Sequence, residues 1–580
     1  MPIPKNPGKD FINQINTHMK KPLWKTGLLG LCAWGLFGSG TLFAQSDPTG
    51  QKPITQTYAF TNATVHASPG SEGQKATIVV KDGVIISVGS GVTIPAAAKV
   101  IAGDSLYIYP GFIDAASQAG ITKPEDPERP SDFVSSNPPD EIAGITPWRS
   151  ATDQFDISSS QVDELRKAGF TMAHLLPDGG MIAGKSTIMV LGTKGSTNLI
   201  KANTALAASL NGSRGMYPGT TVGVMAKFRD VYKNTSLTQD RMAAFASNSG
   251  VSRPEINPTY SAMTEVVNGQ IPVFFEVEND LEVRRAISLQ KELGFKLVVY
   301  GLEQYDKVID LLKSSGTGVI LKLDTPADKA IKNQKNDVDE AVQAQYDRVK
   351  ESYDRTIAQA GKLAEAGVPF AFSTIDAKPS DAMKSLRAMI EAGLTESAAM
   401  AALTTNAASM IGMNRIAGTV EQGKLANLVI TTGPIFSEDS QIKHVVADGS
   451  IFDYEIKTKM KNGNGEATVE VAGTWDYTSE TPAGSSGGKL TIEKDGDDYS
   501  GTITYDDPSG NGTATSPISD VSISGSQLSF SFEVSAGGMA ISVSVSGEIS
   551  GNSMDGSMNI AQFGSFPISA TRNPNFISNN

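Results

Sequence analysis

Pro110-Gly111-Phe112-Ile113-Asp114-Ala115-Ala116-Ser117-Gln118 stands where the pattern of the chain changes. Before it, residues 53–109 read as short strands and turns. Ala76 to Val80 is an apolar run, Lys81-Asp82-Gly83 a turn and Val84 to Val88 the returning strand of a hairpin. After it, β-rich runs alternate with helical patterns. Val273-Phe274-Phe275 precedes a helix-like stretch from Leu281 to Leu293, Lys296 to Tyr300 is the next strand, and Tyr305 to Leu312 is helical. Val319-Ile320-Leu321, the long helical pattern from Asp337 to Ala366 and a strand opening at Pro369 to Phe372 follow. Alternation of this kind predicts an α/β fold, a (β/α)8 TIM-like barrel.

A chain of 580 residues exceeds what one hydrophobic core supports, so several domains are expected. Residues 1–44 read as a secretory signal: Lys20, Lys21 and Lys25 precede an apolar run from Leu28 to Phe43, with a cut after Ala44. The run is broken by Gly and Ser and falls short of the ~18 apolar residues of a membrane anchor, so no transmembrane segment is expected after processing. Cys32, the only cysteine, lies within this leader, and the mature chain makes no disulfide demand on an oxidising compartment. Export to the periplasm or cell surface of a Gram-negative bacterium is the expectation. The formal charge of −13 becomes about −17 once the five Lys and one Asp of the leader are removed. No Arg/Lys cluster could neutralise successive phosphates, which excludes nucleic acid as a partner class.

The opening stretch resembles the first metal-binding strand of the amidohydrolase superfamily, Pro-Gly-x-Ile-Asp-x-His-x-His, with Ala116 and Gln118 at the two histidine positions. The resemblance extends to the flanks. "ATIVVKDGVIISVGSG" looks like the family's N-terminal β subdomain, and "GTVEQGKLANLVITTGP" and "IKHVVADGSIFD" like its C-terminal strands. Gly423-Lys424-Leu425-Ala426-Asn427-Leu428 carries Asn427 where the family has Asp. The likeness is to imidazolonepropionase-like, exported Bacteroidetes members with degenerate ligand motifs. It implies a composite β subdomain from 53–109 plus 416–456 and an amidohydrolase-like barrel over 110–415. It also implies one or two zinc ions at the barrel mouth. Metal sites of this type draw on imidazole and carboxylate lone pairs. Only His18, His66, His174 and His444 exist, and His18 leaves with the signal. By the resemblance, the fifth-strand histidine falls on Glu276, the sixth-strand position near Tyr300, Gly301 or Leu302, and the eighth-strand aspartate on Thr374, with Asp376 two residues on. His66 and His444 fall in the β subdomain as structural histidines. His174, near the end of a strand, is the one histidine that could line the mouth.

The expected cofactor is therefore none. Asp114, Glu276 and Asp376 are candidates to converge, either as oxygen ligands for Ca²⁺ or Mg²⁺ or as a metal-free acid–base set with Asp376 and Glu276 catalytic. Asp114, Gln118, His174, Tyr300 and Thr374 are the expected substrate-lining residues. Residues 119–152, rich in Pro, Asp and Ser, read as a functional loop or lid, and Gly179 to Gly184 as a turn near the mouth. A linker over 457–466 leads to a Gly/Ser/Thr-rich domain at 467–574 whose roughly eight strands suit an antiparallel barrel or sandwich.

Three functional readings follow. The first is a barrel without its metal centre, binding a small molecule or peptide-like ligand or serving as partner subunit, as a homo-oligomer or with an active amidohydrolase. The second is a hydrolase of C–N bonds using non-standard ligands. The third is an envelope glycan binder whose Trp475 and Tyr477 stack on a sugar.

Overall fold

The hairpin at Asp82-Gly83 sets the edge of the first sheet, both residues taking the left-handed conformation a tight turn requires. A computed structural model describes residues 57–573 apart from 126, 196–197, 302–304, 327–339, 457–470, 482–483, 496–497, 507–511, 537–538 and 561–563. The expected leader, the linker at 457–466 and Leu302 lie outside the described residues.

Strands β1 (Thr57–Val65), β2 (Gln74–Lys81), β3 (Val84–Gly89), β4 (Lys99–Ala102) and β5 (Tyr107–Pro110) come from the N-terminal flank. They share one eight-stranded sheet with β14 (Leu428–Thr431), β15 (Ile442–Ala447) and β16 (Ser450–Asp453) from the other flank. The seam is the antiparallel pairing of β5 with β14, Pro110 opposite Leu428. At the next residue the Gly111 amide donates to the Asn427 carbonyl at 2.7 Å. A Cβ on Gly111 would stand 2.3 Å from Thr171 Oγ1 and 2.9 Å from the Asn427 carbonyl carbon, so only glycine lets the chain pass from the subdomain into the barrel here.

The barrel strands are β6 (Phe112–Ser117), β7 (Phe170–Leu175), β8 (Ile182–Val190), β9 (Leu199–Ser209), β10 (Val273–Glu276), β11 (Leu297–Tyr300), β12 (Gly318–Lys322) and β13 (Phe370–Ser373), adjacent in chain order. Strict β/α alternation fails at one place. β8 is antiparallel to both β7 and β9, with no helix on either side, so seven strands share a direction and the third opposes them. Parallel neighbours need a crossover, whereas antiparallel ones need only a turn. The loop Asp178-Gly179-Gly180 is such a turn. A Cβ on Gly180 would lie 2.3 Å from Gly144 Cα, so the glycine admits the 119–150 loop against it.

Helices α1 (Ser160–Lys167), α2 (Thr221–Ser247), α3 (Pro258–Val267), α4 (Asp280–Leu293), α5 (Ile309–Ser315) and α6 (Glu340–Ala366) separate the parallel strands. α7 (Ala382–Glu391), α8 (Glu396–Leu403) and α9 (Thr405–Met410) follow β13. α4 shows why the sequence folds this way. Asn279 caps the Glu282 amide, acidic residues fill the first turn, and Gly294 ends the helix in the left-handed conformation. Val283, Ala286, Ile287 and Leu289 form its buried face against the strands. None of the helices among the described residues is long and apolar enough to cross a membrane.

The C-terminal strands form a separate all-β unit. β17 (Gly473–Thr481), β18 (Gly484–Asp495), β19 (Asp498–Asp506), β20 (Thr513–Pro517), β21 (Ser519–Ser524), β22 (Gln527–Ala536), β23 (Met539–Ser550), β24 (Ser553–Ile560) and β25 (Gly564–Arg572) pair antiparallel. β20 pairs with β19 and β21 with β22, so the nearly continuous segment 513–524 bridges its two neighbours, while β25 returns to β17. The result is an up-and-down barrel. Trp475 is fully buried in it and donates from Nε1 to the Val471 carbonyl at 3.0 Å. Tyr477 is also buried, its hydroxyl donating to the Thr504 carbonyl at 2.9 Å. Both rings are core, which corrects their reading as a sugar-stacking surface.

Candidate functional site

In a barrel the chemistry collects at the C-terminal ends of the parallel strands. Here those ends carry Ser117 and Gln118 after β6, Ser209 on β9, Glu276 on β10, Tyr300 on β11, Lys322 on β12 and Thr374 with Asp376 after β13. Asp178 joins them from the β7–β8 turn. The last and first strands are held together by side chains. Thr374 Oγ1 donates to Asp114 Oδ2 at 2.5 Å, the Thr374 amide donates to Oδ1 at 3.2 Å, and Ser373 Oγ donates to the Ala116 carbonyl. Asp114 is fully buried, and burial pushes its carboxyl up to about 6, against hydrogen bonds from Thr374, Ser117 and Ala116 that pull it down.

Two expected lining residues are thereby removed from the mouth. Asp114 has no exposed surface, and Thr374 is 8% exposed with its hydroxyl committed to Asp114. His174 is a third correction. It lies inside the barrel at 1% exposure, Nδ1 on the Ala115 carbonyl at 3.1 Å and Nε2 facing Ser186 Oγ at 2.7 Å and Thr204 Oγ1 at 3.0 Å. Its ring meets Phe274 edge-on at 4.6 Å. A carbonyl only accepts, so Nδ1 carries the proton and Nε2 is the acceptor. Burial holds this imidazole down, to about 4, and it is neutral at pH 7. His66 stacks on Tyr109, with ring centroids 4.7 Å apart, and His444 pairs with Asp453 at 2.6 Å, both in the β subdomain.

Glu276 and Asp376 both stand at the C-terminal end of the barrel, where the charge of one acts on the other. Glu276 is raised first by burial and then by the neighbouring charges of Asp376, Asp178 and Glu278, while Lys322 pulls it down. Tyr300, buried on β11, is held well above the ordinary phenol range by burial and by the charges of Glu276, Asp178 and Asp376. Asp114 is buried and held by Thr374, and no three acidic or His side chains gather as a metal site among the described residues, so the expected three-carboxylate metal site does not form. Lys322 is a cation at the mouth, its Nζ 3.1 Å from Asp376 Oδ2. Asp376 holds a left-handed φ of 53° at the strand end, a conformation aspartate tolerates better than most residues. Lys322 and Asp178 went unread in the sequence, although a lysine closing the apolar run Gly318-Val319-Ile320-Leu321-Lys322 marks a strand's C-terminal end.

Beside the mouth, the 119–150 loop encloses a cavity of about 340 Å³ with the Asp178 turn and Arg214. Lys123 and Arg149 there are paired with Asp178 and Glu141 at 3.3 and 3.0 Å.

The residues at the ligand positions do not fit zinc. Ala116 and Gln118 stand on β6 and just after it, Glu276 on β10, Tyr300 on β11 and Thr374 after β13. Only Glu276 carries an acceptor of the required kind. Among the described residues no three His, Cys, Asp or Glu side chains gather as a metal site.

Comparison with known proteins agrees with this geometry at the level of family. Residues 280–463 match the profile of the Amidohydrolase family. Over 88 residues the chain is 40% identical to an imidazolonepropionase of Geobacillus kaustophilus, an alignment covering 14% of this chain and 20% of that relative's length. The crystal structure of an amidohydrolase from Thermotoga maritima superposes with a TM-score of 0.56 at 20% identity, over 68% of this chain and all of that one. Residues 280–463 carry the match to that family, and the barrel shares the fold of that solved amidohydrolase. That solved structure shares the fold, which by itself does not fix the reaction.

Proposed function

We propose that this chain is an exported amidohydrolase-fold protein that works without a resident metal, its barrel mouth binding a small or peptide-like ligand. The observation that carries this reading is the Asp114–Thr374 latch. The side chain at the family's eighth-strand ligand position is spent on closing the barrel, and Ala116 beside it has no lone pair to offer. Lys322 supplies a fixed positive charge among the mouth carboxylates, a role a divalent ion would otherwise fill. Asp178 is paired with Lys123 and Asp376 with Lys322, while Glu276 and Glu278 add two further carboxylates, so the mouth favours a ligand presenting an ammonium or guanidinium end.

A partner role fits the same molecule. The C-terminal half of α2 leaves Leu237, Met242 and Phe245 exposed by 51%, 37% and 37%, an apolar face suited to a related, active barrel or a second copy. One observation favours hydrolysis instead: Glu276 is raised by burial beside Asp376, the environment of a general acid. Calorimetric titration with an amine and peptide panel tests the binding reading. Saturable binding of cationic ligands that weakens in Glu276→Gln supports it. Turnover of those ligands without added metal, lost in Glu276→Gln, would replace it with the hydrolytic one.

A further inference from the structure

The opposite end of the barrel holds a second cavity. Its rim is formed where four parallel strands begin: Lys201 on β9, Pro272 before β10, Lys296 before β11 and Pro369 before β13. α9 and the residues after it complete the wall. Its volume is about 500 Å³, room for on the order of fifteen waters at ~30 Å³ each. The N-terminal face of such a barrel ordinarily serves stability, with the chemistry at the other end. This cavity is therefore separate from the mouth.

Its lining has the make-up of a ligand pocket, an apolar body with a few placed polar groups. Phe274, Val298 and Met410 supply the walls. The floor reaches Thr204 and His174, 9% and 1% exposed. His174 Nε2 has one lone pair, and Ser186 Oγ at 2.7 Å is nearer to it than Thr204 Oγ1 at 3.0 Å. That leaves the Thr204 proton to Ser186 Oγ at 2.9 Å, to the Ser186 carbonyl at 3.4 Å or to a ligand. The rim is charged with one sign only. Lys201 and Lys296 both border the cavity, no Asp or Glu does, and neither lysine has a carboxylate partner among the described residues. In a chain of net charge −13 such a local excess of cations is not set by composition. Small residues make the space. Gly318 opens β12 at the rim, and a Cβ there would meet Met410 Cε at 3.2 Å.

We infer that this cavity at the N-terminal end of the barrel is a binding site for a small organic carboxylate with an apolar body. The carboxylate sits between Lys201 and Lys296 and the body lies along Phe274, Val298 and Met410.

The test uses the full chain with 3-phenylpropionate as probe and 3-phenylpropylamine as its cationic counterpart. Calorimetry follows affinity, and the ring signals of histidine-labelled protein follow His174. The expected result is saturable binding of the carboxylate with a shift of the His174 signals, and at least tenfold weaker binding of the amine. Lys201→Glu with Lys296→Glu, both at exposed positions, is expected to weaken the carboxylate at least tenfold. Gly318→Val places methyl groups against the flexible end of Met410 and is expected to abolish binding while thermal unfolding remains cooperative. The inference is overturned if the carboxylate does not bind or the amine binds as tightly. It is equally overturned if the charge-reversed protein binds unchanged or if binding leaves the His174 signals in place.

Discussion

Thr374 and Asp114 lie 260 positions apart in the chain and share a hydrogen bond of 2.5 Å that ties the eighth barrel strand to the first. The same bond engages the side chain that stands where the resemblance places the eighth-strand metal ligand. The protonation of this contact is open to measurement.

Asp114 is raised to about 6 in the folded protein, against ~3.9 for a solvated aspartate. The folded state then binds the proton more tightly, so this stabilisation is present below about pH 4 and is lost as pH rises through 6. At ~1.4 kcal/mol per pH unit the loss is about 3 kcal/mol. Asp114→Asn keeps an acceptor for the Thr374 amide and an N–H for its hydroxyl without a charge. It is expected to equal or exceed the parent in stability at pH 7.5. Asp114→Ala leaves those donors unsatisfied and is expected to cost about 1–3 kcal/mol in urea unfolding.

His174 acts with the opposite sign. Its imidazole, held down to about 4, takes up a proton more readily in the unfolded chain, so its contribution is present above about pH 6.5 and lost as pH falls through 4. It also amounts to about 3 kcal/mol, and over pH 4 to 6 the two groups offset each other. The parent should therefore show a shallow stability profile in that window. Asp114→Asn should unmask stability rising with pH and His174→Leu stability falling with pH. Parallel profiles for the two variants would reject the assignment of these groups.

Much of the architecture was legible because its signals are local. Gly111 and the apolar run behind it mark the passage into the barrel, and the capped, amphipathic segment at Asn279 to Gly294 reads as a helix from its own residues. The reversed strand β8 was not legible, since its direction depends on Gly180 packing against Gly144. Nor was the choice of a closed barrel for the C-terminal unit, which rests on Trp475 in β17 pairing opposite Arg572 in β25. In the candidate site, Glu276 and Asp376 entered through the resemblance to the family's ligand positions, and both stand at the C-terminal ends of barrel strands. The burial of Asp114 and His174 was missed, because it depends on partners that no spacing rule connects, Thr374 for one and Ser186 and Thr204 for the other.

Lys322 counters the mouth carboxylates and pulls Glu276 down. Lys322→Met is expected to raise the Glu276 carboxyl further, read by carbon-detected NMR titration, and to weaken any anionic ligand of the mouth while sparing cationic ones. A Glu276 titration that does not move would mean the lysine is electrostatically remote.

Trp475 fills the C-terminal barrel. Trp475→Ala is expected to destabilise that unit by about 3–5 kcal/mol. Its fluorescence should be shielded from iodide, and soluble glycans should leave it unchanged.

The central claim is that this barrel mouth does not use a bound metal. The direct measurement is metal content after exhaustive dialysis, together with kcat/KM on amides, dipeptides and lactams with Zn²⁺ or Mn²⁺ supplied. Substoichiometric metal and no metal-dependent turnover are predicted. One or two retained equivalents, with turnover that needs them and collapses in Asp376→Ala, would contradict the account.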